Sequence, residues 1–173
     1  MNGDEIVINS KLTAEDYKKA AYFGVFGKNA AVKWLIAVAI PVALLQILYV
    51  AMAGQILYPL AFYTSLMGMG VLLFAYIVVG KESDRFVKQN KVQTDSMRTI
   101  YFEKDGISSL QPNLERVKYP YELFREAYET KTLFLIYTPD GKAVIIAKRD
   151  IDDKTAEKMR ETLKQHMKLK IRA

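Results

Sequence analysis

Between Trp34 and Gly80 the chain carries no Asp, Glu, Lys or Arg, whereas polar and apolar positions alternate at short intervals on both sides of that run. A helix crosses the hydrocarbon core of a bilayer in about 20 residues. The run therefore has the length for two crossings, about 34–53 and 57–79. The turn falls at Ala53-Gly54-Gln55, and Pro59 is placed to open the second helix. Two core helices of a soluble domain are the other reading of such a run. A soluble helix shows a polar stripe, and neither half has one. Trp34, Tyr49, Tyr58, Tyr63 and Tyr76 lie toward the span ends, where aromatic side chains favour the membrane interface. Pro41 removes one amide donor inside the first span and is expected to kink it. Ala39, Ala43, Ala61, Ser65 and Gly68 are small residues suited to close helix approach. They would pack the two spans together or form the seam of a homodimer. With no Asp, Glu, Lys, Arg or His in the run, a proton relay or ion pathway is not expected.

Upstream, Glu5–Asn9 reads as a short strand. Thr13-Ala14-Glu15-Asp16 then places a hydroxyl three residues before an acid, the signature of a capped helix start. The spacing predicts a helix from Ala14 to about Gly27. Its apolar side of Tyr17, Ala20, Ala21, Gly24 and Val25 would lie on a membrane surface or pack on a domain, since amphipathicity is compatible with both. Residues 1–33 thus form an N-terminal strand and amphipathic helix, and 81–96 a juxtamembrane helix and linker.

From Met97 the period changes to that of strands. Arg98–Glu103 alternates, Lys104-Asp105-Gly106 is a hairpin signal resting on a positive φ at glycine, and Ile107–Leu110 returns. Leu114–Tyr119, Arg125–Thr130, Thr132–Thr138 and Ala143–Ala147 follow. A single helical turn is expected at Pro120–Phe124 and a Pro139-Asp140-Gly141 turn further on. Leu133, Leu135 and Tyr137 alternate with Phe134 and Ile136, so both faces of that strand need cover. The closing helix, predicted over 151–168 with Ala156, Met159, Leu163, His166 and Met167 at helical spacing, supplies it.

Charge sets orientation. The chain of 173 residues has a net charge of +6. Lys28 and Lys33 precede the run and Lys81, Arg85, Lys88 and Lys91 follow it, while the central turn is uncharged. A Lys/Arg excess beside a span marks its cytoplasmic side, so both termini are expected there. A cleavable signal peptide is not expected, because acidic residues precede the apolar run. Lys81, Arg85, Lys88, Lys91, Lys168, Lys170 and Arg172 are candidate contacts to anionic headgroups, each contributing about 1 kcal/mol close to the surface. The plainer reading is a topology signal with a solvated face and a disordered tail. Several acids interrupt the basic residues, so nucleic acid is not expected as a partner.

No chemistry-bearing constellation stands out. The absence of cysteine removes thiolate ligands, disulfides and Cys nucleophiles. His166 is the lone histidine and sits on an apolar helix stripe. Asp150, Asp152 and Asp153 read as helix capping rather than a metal site. Ser108-Ser109 lacks a nucleophile-elbow pattern, and no Gly-rich phosphate loop occurs. Catalytic residues, metals and cofactors are therefore not expected.

The order of strand, Asp-Gly turn, strand, strand, YPYELFREAYET, hairpin, IIAKRD and amphipathic helix, after an LTAEDY start and two spans, resembles the YcxB-like family of bacterial membrane proteins. The resemblance implies an α+β membrane protein: a two-helix transmembrane hairpin and, over 97–173, a pleckstrin-homology-like β-barrel or pair of orthogonal sheets capped by the C-terminal helix. It implies a multi-pass protein of the bacterial inner membrane, and because the family carries no established activity it supplies fold and address rather than chemistry. The expected role is a non-enzymatic interaction module binding a protein, a peptide or an anionic lipid surface, with the bilayer and a protein partner or second copy as partners. The alternative is a small regulatory or immunity-type subunit acting through its spans.

Overall fold

The computed structural model describes residues 6–56, 58–90, 96–110, 116–138 and 141–171, and the chain divides into two compact units. One comprises residues 1–20 and 86–173; the other is the hairpin, 21–85. The predicted turn residues Pro139 and Asp140, the linker positions 91–95, and Glu5, Leu114, Lys91 and Arg172 lie outside the described residues.

The first unit holds two antiparallel-based sheets. Strands β1 (Ile6–Ser10), β2 (Arg98–Phe102), β3 (Gly106–Leu110) and β4 (Val117–Pro120) form one in sequence order. Strands β5 (Glu126–Glu129), β6 (Leu133–Tyr137), β7 (Ala143–Ala147) and β8 (Lys168–Ile171) form the other, in the order β7-β6-β5-β8. A single 3-10 turn, Tyr121–Leu123, separates the two sheets in sequence. The unit is thus α+β, but the small closed barrel is not formed. A barrel needs the end strands to pair and abolish the edges, and here β4 and β7 end their sheets.

The N-terminal strand does join this unit: β1 runs antiparallel to β2, with Ile8 opposite Ile100 and Ile6 opposite Phe102. The alternation of β1 buries Ile6, Ile8 and Ser10 and exposes Val7 and Asn9, as a half-covered strand requires. These isoleucines enter one core with Ile107, Phe134, Ile136 and Ile146 and with Ala156, Met159 and Leu163 of the closing helix. That helix covers β6 as its spacing predicts. It is shorter than expected, Asp153–His166, because Asp152 caps its start through Thr155 N and the backbone is extended at Met167 (φ −154°). The chain then enters β8, which pairs parallel with β5. Sequence reasoning read this stretch as helix end and tail, although Lys168-Leu169-Lys170-Ile171 alternates.

The β2–β3 hairpin closes where predicted, with Glu103 N donating to Gly106 O at 2.9 Å. Its glycine is needed for a different reason. Positive φ occurs only at Gly54 and Gly141 among the described glycines. At Gly106 a Cβ would lie 2.4 Å from Tyr119 O and 3.0 Å from Pro120 Cα, so the β4 backbone fills the space a side chain would occupy.

Helix α1 (Ala14–Tyr22) starts at a reciprocal cap: Thr13 N donates to Asp16 Oδ2 at 2.8 Å and Asp16 N to Thr13 Oγ1 at 3.3 Å. It gives way to a π-helical turn, Phe23–Gly27, rather than continuing as α-helix to Gly27. In the hairpin unit Tyr22 stacks on Tyr76 at 4.6 Å and Phe26 lies 6.3 Å from the same ring. Helix α2 (Ala30–Ala53) is capped by Asn29, runs unbroken through Pro41 and ends at left-handed Gly54. Helix α3 spans Pro59–Gln89. The closing helix of the first unit is α4.

Candidate interaction surfaces

Three buried or half-buried ion pairs fix the first unit's surface. Asp16, 2% exposed, receives Arg149 Nη1 at 2.9 Å and Nη2 at 2.6 Å, and Arg149 Nη2 also donates to Lys11 O. Burial works against the Asp16 carboxylate, yet the Arg149 guanidinium and the Thr13 amide and hydroxyl hold its pKa below the ordinary range. Asp150 accepts from Ser10 Oγ at 2.7 Å and Lys11 N at 3.1 Å. The 148–150 turn therefore grips residues 10–16 with side chains of both signs. Sequence reasoning saw Asp16 as a cap and Lys148-Arg149 as part of a motif; nothing in the sequence links positions so far apart.

Glu129, 4% exposed, faces α4 and takes Arg160 through both carboxylate oxygens, at 2.8 and 2.9 Å, plus Lys148 at 2.6 Å. Arg160 first, then Lys148, keep its pKa low against burial. On the outer side of the first sheet, Glu103 binds Arg116 and Lys118, each at 2.7 Å, and the Ser108 hydroxyl. Lys118 first, with Ser108, lowers Glu103 to a pKa of about 2. Arg116 lies 4.0 Å over the Tyr101 ring. Ser108 is thus a link in a salt-bridged surface.

His166 stacks on Tyr121, with ring centroids 4.0 Å apart and planes 4° from parallel. Tyr121 donates to Glu103 O at 3.0 Å, and burial pushes its pKa up to about 12. Among the described residues no cluster of His, Cys, Asp or Glu could hold a metal. Asp152 serves as the α4 cap and Asp150 holds Ser10.

Of the candidate headgroup residues, Lys81, Arg85 and Lys88 are exposed on α3 at spacings of four and three, which places them on one helical face. Glu82 approaches Arg85 only to 3.9 Å. Lys168 is exposed on β8, whereas Lys170 donates to Glu126 at 2.6 Å and to Tyr128 Oη at 3.2 Å. The described C-terminal residues are ordered strand to Ile171, and Lys168 and Lys170 stand on the same side of it.

In the hairpin unit the less exposed positions of α2 are Val32, Ile36, Ala39, Ala43, Gln46, Tyr49 and Val50, a helical stripe with Ala43 at 1%. On α3 Phe62, Ser65, Met69, Leu72 and Val79 form the corresponding stripe. Ala39, Ala43 and Ser65 lie on these stripes and Ala61 is exposed. Gly68 is partly covered, and a Cβ there would meet nothing within 4 Å. Both helices are long and apolar enough to cross a membrane, and the protein buries 6% of one apolar window and none of the other. Large apolar side chains such as Trp34, Met52, Leu60 and Phe74 are 69–81% exposed.

Strands β1 and β4 end the first sheet and β7 and β8 the second; on β4 the side chains of Val117, Lys118 and Pro120 are exposed. Residues 102–163, from the end of β2 to Leu163 of α4, match the model of the family described as YcxB-like protein. It is the family that the order of strands and motifs resembles. No curated protein matches the chain.

Proposed function

We propose that this chain is a non-enzymatic interaction module held at the cytoplasmic face of a bacterial inner membrane by the α2–α3 hairpin. The 1–20 and 86–173 unit is the presented domain, related to the pleckstrin-homology class by its two sheets and closing helix. It binds a protein or peptide strand at a sheet edge, or the cations Lys81, Arg85 and Lys88 along α3 bind an anionic lipid surface. The reading is carried by the pairing of β1 with β2. These strands flank the hairpin in sequence, and a sheet cannot form across a bilayer. Two crossings return the chain to the side it left, as the pairing demands. The exposed apolar surface of α2 and α3 adds support, since helices buried in a soluble core would not leave it uncovered. The exposed cations at the end of α3 support the cytoplasmic side for both termini.

The test uses the chain's lack of cysteine. Gln55→Cys should react with a membrane-impermeant maleimide from outside intact cells, and Lys154→Cys only after lysis. Reversed labelling overturns the orientation, and extraction of the protein by carbonate overturns the membrane anchor. Reversing charge at Lys81, Arg85 and Lys88 should reduce flotation with anionic vesicles of a chain that joins residues 1–20 to 81–173. Unchanged, salt-insensitive flotation overturns the lipid arm and leaves the protein arm.

A further inference from the structure

The helix expected over residues 14–27 falls into two stretches with different surroundings. Leu12, Asp16 and Ala20 recur every four residues, are buried, and belong to the first unit. From Ala21 onward the chain belongs to the hairpin unit. The π-helical turn Phe23–Gly27 buries none of its residues, and Val25 is 41% exposed. Tyr22, Phe23, Val25 and Phe26 thus lie close together in a stretch with no charge between Lys19 and Lys28.

The level of this turn on the hairpin decides what it meets. Tyr22 Oη donates to Tyr76 O at 3.2 Å, the Tyr22 and Tyr76 rings stack at 4.6 Å, and Phe26 lies 6.3 Å from Tyr76. Tyr76 stands inside the uncharged run, and Lys81 is the first charge after it on α3. At 1.5 Å of rise per residue, Tyr76 is about 7–8 Å of helix from Lys81. An apolar face lying in a bilayer interface sinks about 5–10 Å, so the two depths agree. Tyr76 and Ile77 are 55% and 45% exposed, and the turn therefore continues the exposed apolar surface of α3. Aromatic rings favour that zone over water. A protein partner fits less well, because protein interfaces carry directed hydrogen bonds. The only side-chain donor from Tyr22 to Gly27 is the Tyr22 hydroxyl, which Tyr76 O already engages.

We propose that the Phe23–Gly27 turn is a lipid-contact surface, with Val25 and Phe26 seated where headgroups meet acyl chains, in the leaflet on the Lys81 side. It deepens the membrane reading above, on which it rests, by adding an interfacial contact to the two spans. The chain is held at the bilayer surface just before it enters α2, and the Tyr76 contacts fix the depth of the hairpin.

Because the chain has no cysteine, single nitroxide labels report one position each. Full-length Lys154→Cys, Val25→Cys and Leu48→Cys chains are labelled and reconstituted in vesicles of phosphatidylethanolamine and phosphatidylglycerol. Collisions with oxygen, which concentrates in hydrocarbon, are compared with collisions with a nickel chelate, which stays in water. The expected result is a loss of chelate collisions at Val25 relative to Lys154 with oxygen collisions retained, placing the label between Lys154 and Leu48 in depth. A Val25 label as open to the chelate as that at Lys154, with Leu48 shielded, overturns the surface and leaves the membrane reading standing. A Val25 label shielded from both reagents overturns it in favour of a protein contact. A Leu48 label open to the chelate overturns the membrane reading and the surface together. Val25→Trp in a Trp34→Phe chain repeats the test without a nitroxide. Lipid brominated on its acyl chains should quench that tryptophan, and quenching by aqueous iodide instead would overturn the surface.

Discussion

Ile8 lies directly opposite Ile100 in the β1–β2 ladder, each 1% exposed, although the entire apolar hairpin separates them in sequence. The hairpin is thus an insertion within one domain, not an anchor appended to its end. The two cut ends of that domain are close: the Tyr17 and Phe86 rings, both in the first unit, have centroids 5.8 Å apart. Joining residue 20 to residue 86 by a short Gly/Ser linker should therefore give a monomer that unfolds cooperatively without detergent. Residues 86–173 alone should not, because Ile100 and Phe102 would lose Ile8 and Ile6 across the sheet. Circular dichroism melts of the two chains check this, and cooperative unfolding of 86–173 would show β1 to be dispensable.

Arg149 closes a clamp on Asp16 that is worth more than a surface pair, because the carboxylate is sealed from solvent. Arg149→Ala should destabilise the domain by about 2 kcal/mol, the cost of leaving a buried charge with only the Thr13 donors. Arg149→Lys should restore part of that loss, since a lysine cannot reproduce two parallel N–H donors. Urea unfolding midpoints give the comparison. Equal stability of all three would mean that solvent reaches Asp16 freely.

Acid should loosen the same domain. Glu103 is held at about 2, from an ordinary 4.5, by Lys118 and Ser108, and Asp16 and Glu129 are also lowered. A depressed carboxylate stabilises the fold fully above its unfolded pKa and loses that contribution as pH falls toward the folded value. The urea midpoint should be flat above about pH 5 and fall between 4.5 and 2. Glu103→Gln should flatten part of that decline. A midpoint that rises on acidification would contradict the assigned pairs.

Local pattern carried most of the fold. The reciprocal Thr13–Asp16 cap, the strands from Arg98 to Ala147 and the Met159–Leu163 stripe are written within a few residues of each other. What escaped needed distant partners. Strand β8 exists because β5 offers it an edge, so helical periodicity could run on past His166 without contradiction. The Glu129–Arg160 and Asp16–Arg149 pairs join elements whose proximity only the folded chain creates.

Two glycines distinguish backbone contact from mere smallness. At Gly106 an added methyl group would collide with the Tyr119 carbonyl and the Pro120 Cα, atoms of a paired strand that cannot rotate away. Gly106→Ala should cost about 1–3 kcal/mol, through displacement of β4 from β3. Gly68, within helix α3, has open space where its Cβ would be. Gly68→Ala should leave the hairpin unchanged or raise its helical stability by up to about 1 kcal/mol. Thermal melts of the full chain in detergent and of the excised domain in buffer separate the two effects. If Gly68→Ala were the damaging change, a helix would have to approach α3 there more closely than any described neighbour does.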